Sequence, residues 1–84
     1  PPCYNGRVRR CKFMWSYNSS AGPLYIVPLS DGTFGIKFGG TVWESCTTPQ
    51  AEADNVFCRV TGCPEIDALQ DVPADLSGWT YSPL

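Results

Sequence analysis

The chain has 84 residues, a net charge of −2, five cysteines and no histidine. That length holds one hydrophobic core and excludes a second domain. The missing histidine removes Ser-His and Cys-His nucleophilic arrangements and the commonest metal ligand, while the cysteine density points to a disulfide-stapled protein of an oxidising compartment.

A hydrophobic content of 43% with 13% aromatics is enough for a packed core. No apolar run approaches the roughly 18 residues that would suggest a membrane span, so membrane insertion is not expected. The chain begins at Pro1 without a methionine and carries no lipidation motif, which reads as a mature secreted, extracellular product. Charge is segregated. Arg7, Arg9, Arg10, Lys12 and Lys37 oppose only Asp31 in the first half, whereas Glu44, Glu52, Asp54, Glu65, Asp67, Asp71 and Asp75 oppose only Arg59 in the second. Such a dipolar chain neutralises itself within one fold or presents a basic end to an acidic partner.

Eight glycines and eight prolines interrupt nearly every segment, so short strands joined by turns are expected. Residues 7–17 alternate, with Cys11, Phe13, Trp15 and Tyr17 on one face and Arg10, Lys12, Met14 and Ser16 on the other. Asn18 to Pro23 breaks the pattern as a surface loop. Leu24–Leu29 is an apolar strand ending near Pro28. The turn dipeptide Asp31-Gly32 follows, and then Thr33–Phe38, in which Phe34, Ile36 and Phe38 share a face. Gly39-Gly40 turns the chain into Thr41–Cys46, with Val42 and Glu44 opposed to Trp43 and Ser45. Thr47-Thr48-Pro49-Gln50 resembles a helix start, completed as a single turn by Ala51–Asp54. Asn55–Val60 alternates as a fifth strand, with Val56, Cys58 and Val60 on one side. Pro64 opens a short helix over 64–71 with acids in its first turn, stopped by Pro73. After a turn closed by Gly78, Trp79 and Tyr81 alternate with Thr80 and Ser82 as a sixth strand. The sum is a single domain over residues 1–84, mostly β: a small disulfide-stabilised antiparallel barrel or sandwich of five to six strands with one short helix.

Cys3, Cys11, Cys46, Cys58 and Cys63 cannot all pair within one chain. Two bridges leave one thiol over, and their connectivity stays open. The odd thiol is either buried or joins two chains, which points to a homodimer, with Cys3, near a terminus and outside any strand, as its candidate. Zinc is disfavoured, because Cys58 and Cys63 are the only close pair and no histidine completes a tetrahedral set. No metal or cofactor is expected.

Among acids, Asp31 and Glu44 could approach one another, but Asp31 is explained by its turn and paired-carboxylate catalysis is not expected. Arg7, Arg9, Arg10 and Lys12 ahead of three aromatics resemble a nucleic-acid surface, yet the pI near 4.7 argues against it, and a charged edge strand explains them. Trp15, Tyr17, Trp79 and Tyr81 flank loops or lie in the tail and are candidates for stacking on sugar rings or anchoring a protein partner. Asn18-Ser19-Ser20 is a glycosylation acceptor sequence at the expected surface.

The short mature chain, the several cysteines, the compact β-pattern and the lack of a catalytic constellation together resemble the small secreted cysteine-rich proteins of fungi that act as effectors or elicitors on plant hosts. That resemblance implies a secreted, non-enzymatic binding protein acting on a host or cell-surface partner. The alternatives are a carbohydrate-binding module or lectin, and an inhibitor of a secreted hydrolase presenting a braced loop such as 47–54.

Overall fold

The computed structural model describes residues 13–83. Cys3, Cys11, Arg7, Arg9, Arg10 and Lys12 lie outside them, as does the first half of the strand expected over 7–17. The meander of four strands forms as β1 (Phe13–Ser19), β2 (Gly22–Pro28), β3 (Phe34–Phe38) and β4 (Thr41–Cys46). Each turn follows from its residues. The first is tighter than the loop expected over 18–23. Only Ser20 and Ala21 lie between Ser19 and its partner Gly22, which takes φ 127°, a conformation that L side chains avoid. Asp31 accepts hydrogen bonds from the Thr33 amide and hydroxyl, closing an Asx turn that also holds the Asp31 carboxyl below its ordinary range. Gly39 and Gly40 both have positive φ, as a two-residue hairpin turn requires.

The tail supplies the last strand, β5 (Thr80–Pro83), which pairs antiparallel with β1 through Trp15↔Tyr81. The sheet order is β4-β3-β2-β1-β5. β4 and β5 are therefore opposite edges that do not meet. The sheet is open, which corrects the expected barrel. A sandwich is also absent among the described residues, because helices form the second layer.

No strand forms over 55–60: residues 55–58 instead complete α1 (Pro49–Cys58). Thr48 caps it by accepting the Ala51 amide at 3.1 Å, one residue later than the cap read from sequence, and Pro49 supplies the first turn. Once Gln50-Ala51-Glu52-Ala53 has extended the helix, Val56 follows on the same buried face as Glu52 and Ala53. Cys58 is exposed and Val60 is 57% exposed, so the alternation of Val56, Cys58 and Val60 never shared a face. Arg59 ends α1 in the left-handed region at φ 64°. Residues 49–54 thus belong to a helix and not to the loop expected over 47–54.

The later helix is α2 (Pro64–Asp67), a single turn and shorter than the expected 64–71. Asp67 turns back to accept the Thr61 amide and hydroxyl and the Gly62 amide, fixing the loop between the helices. A 3₁₀ turn (Leu76–Gly78) precedes β5, and a Cβ on Gly78 would collide with the Pro73 ring. Helices and sheet enclose Leu24, Ile26, Ile36, Ala53, Val56, Cys63, Ile66, Leu69 and Trp79. Each fully buried aliphatic side chain there contributes about 1.5–3 kcal/mol. Cys46, Cys58 and Cys63 are free thiols. The expected disulfides are not present among the described residues, and apolar burial closes this core without them.

Candidate functional site

Two groupings on the helix-facing side of the sheet bring chemistry-bearing residues together. The first is aromatic. The register places Trp15 of β1 beside Tyr81 of β5, with ring centroids 5.2 Å apart. Phe13 stacks on Tyr81 at 5.3 Å with planes 22° apart, and Phe34 meets Trp15 edge-on at 6.2 Å. This strip runs to the β5 edge, where Tyr81 is 51% exposed. The other two expected binding aromatics serve the core instead. Trp79 is buried against Tyr17 at 5.8 Å, and the Tyr17 hydroxyl donates to the Asp71 carbonyl, tying β1 to the segment before β5. Of the four candidates, only Tyr81 is substantially exposed, while Trp15 packs partly against the core and backs it. Asn18 is exposed on β1, where its side chain is accessible to modification.

The second grouping has no counterpart in the sequence pattern. From the Gly39-Gly40 turn, an unbroken ladder would pair Ile36 with Trp43 and turn Glu44 outward. A β-bulge between Ile36 and Lys37 absorbs one residue of β4, so that Val42 pairs with Lys37 while Glu44 pairs with Ile36. Val42 and Glu44 thus lie on opposite faces, correcting their expected common face. Glu44 and Cys46 turn toward α1. From the helix come Glu52 and, one turn on, Asn55.

Donor atoms of Glu44, Cys46 and Glu52 all lie within 4.8 Å of one another. The Asn55 side-chain amide donates to both Glu44 carboxylate oxygens, at 3.0 and 3.3 Å, and to Cys46 Sγ at 3.2 Å. Glu52 has no exposed surface, and neither of its carboxylate oxygens receives a hydrogen bond from the described residues. Burial first, then the adjacent Glu44 carboxylate, push the Glu52 acid up to about 9. The neutral acid can offer its own proton to Glu44, which two ionised carboxylates could not do. Burial and the negative charges of Glu52 and Glu44 likewise push the Cys46 thiol up to about 11.

Asp31, the partner considered for Glu44 from sequence, is held in its own turn. The sequence signal for Glu52 is the helical spacing of Glu52, Ala53 and Val56, which the competing period-two pattern of 55–60 masks. Among the described residues, no helix is long and apolar enough to cross a membrane. In comparisons with known proteins, no family model matches the chain, no curated protein matches its sequence and no solved structure matches it.

Proposed function

We propose that this is a secreted, non-enzymatic binding protein that engages a host or cell-surface partner through the aromatic strip of β1 and β5, in the manner of fungal effectors. The observation that carries the reading is Tyr81, a half-exposed aromatic ring on an edge strand, backed by Phe13 and Trp15. Rigid aromatic rings lose little conformational entropy on binding, which makes such groups frequent anchors in interfaces. A homodimer belongs to the same reading. Cys63 is buried and Cys46 half-buried, so Cys58 is the described thiol open to a second copy.

Fluorescently labelled protein applied to host cell surfaces tests the proposal directly. Tyr81→Ala, a change at an exposed position, retains the fold and lowers surface binding by about tenfold or more. Unchanged binding removes the strip from consideration. The near-parallel Phe13 and Tyr81 rings favour a second reading, in which the strip stacks against a sugar ring of a cell-wall or cell-surface glycan. Competition by soluble glycans, with glycan-array signals lost in Tyr81→Ala, distinguishes that reading from a protein partner.

A further inference from the structure

A buried carboxyl group with no hydrogen-bond donor is an anomaly, because such groups are normally paired, hydrogen-bonded or bound to a metal. Glu52 is such a group, and it is directed at a second carboxylate and a free thiol. We propose that Glu44, Cys46 and Glu52 form a binding site for one divalent transition-metal ion of the zinc class, with Asn55 orienting two of the three ligands.

The spacing fits. Ligands at ordinary zinc distances in a tetrahedron stand roughly 3.3–3.5 Å apart. The three donor atoms already lie within 4.8 Å of one another, close to that spacing. Glu44 and Cys46 are only half-buried, which gives the ion a path from solvent. The donor set selects the metal. A thiolate disfavours calcium and magnesium, two carboxylates disfavour copper(I), and zinc accepts both donor types. Asn55, bonded to Glu44 and Cys46 together, occupies the place of the outer partner that holds ligands in their binding rotamers. Sequence spacing concealed this site, since it uses no cysteine pair and no histidine. Its ligands come from a bulged edge strand and the first turn of the following helix. A bound ion would pin β4 to α1.

The test uses the full chain, reduced, stripped with a chelator and titrated with Co²⁺. One ion per chain is expected, with a thiolate-to-cobalt charge-transfer band that Zn²⁺ displaces. Cys46→Ser removes that band, while Cys58→Ser leaves it intact. Glu52→Gln keeps the buried shape with a neutral amide and lowers affinity by at least about tenfold without changing the far-ultraviolet spectrum. If that variant loses its native spectrum, Glu44→Gln, at a half-buried position, supplies the same measurement. A pair of carboxylates that merely shares a proton would bind no cobalt, and that result overturns the proposal. A band surviving Cys46→Ser overturns it too, as does undiminished affinity in both carboxylate variants.

Discussion

Glu52 lies beneath the sheet in a position that an alanine or leucine would fill without electrostatic cost, and its protonation couples the fold to pH. Its ordinary value is 4.5 and its folded value about 9. A raised folded value means that the native state holds a proton which the unfolded chain releases. The stability from this group is therefore complete below about pH 4.5 and declines as pH rises toward 9. Cys46, raised from 9.0 to about 11, adds a loss of the same sign at higher pH. Protein kept metal-free with a chelator should give urea midpoints that fall steadily across that range. Glu52→Gln should flatten the slope and gain about 1–3 kcal/mol at neutral pH. A midpoint independent of pH in the unaltered chain would show that Glu52 is ionised in the native state. The sequence displays Glu44 and Glu52 as two acids eight positions apart. Nothing in that separation signals contact, because their meeting depends on a bulge and on a helix, each of which reverses a local pattern.

At the level of elements, the strands were legible wherever a turn residue and an alternating run agreed. Asp31-Gly32 and Gly39-Gly40 set the ends of β3, and β4 spans Thr41–Cys46 as its residues suggest. The helix was half legible, because Thr48 and Pro49 announce its start, but Val56 and Phe57 are β-favouring residues that the helix incorporates by burying Val56. That start should be open to measurement. Thr48→Ala removes the acceptor for the Ala51 amide and should cost about 0.5–2 kcal/mol in chemical denaturation. The bulge was invisible in sequence, since no glycine marks it in β4. Its constraint lies on the neighbouring strand, at Gly35. A Cβ there would stand 2.7 Å from Val42 Cγ1, 3.1 Å from Leu29 Cδ1 and 3.2 Å from the Glu44 carbonyl oxygen. Gly35→Ala should therefore destabilise the fold by about 1–3 kcal/mol through overpacking. Because that methyl presses on the residues that set the position of Glu44, the same variant should also weaken cobalt binding. Wild-type stability in Gly35→Ala would mean that β4 moves aside freely.

Among the described residues, one layer of helices covers one face of an open sheet, and this changes the role of the cysteines. Five thiols in a short chain suggest staples, yet Cys63 is a buried member of the apolar core, Cys46 sits among acids and Cys58 faces solvent. The sheet and α1 are held by Leu24, Ile26, Ile36, Ala53 and Val56 and not by bridges among those three thiols. Composition could not have revealed this, because a cysteine packed as a small hydrophobe and one in a disulfide read identically in sequence. The difference is measurable. Loss of native bridges from a small domain typically costs about 2–5 kcal/mol. In a domain of this size each kcal/mol moves the melting temperature by roughly 4–8 °C, so a stapled fold would melt at least about 8 °C lower when reduced. For the architecture described, melting curves with and without a strong reductant should differ by less than about 4 °C. A chelator, in contrast, should lower the melting temperature of zinc-loaded protein, since an ion that binds only the folded state stabilises it in proportion to the logarithm of its free concentration. A large reductive shift with no chelator effect would assign the stability to bridges made by Cys3 and Cys11. The opposite pair of results would assign it to the packed core and the acid–thiol cluster between β4 and α1.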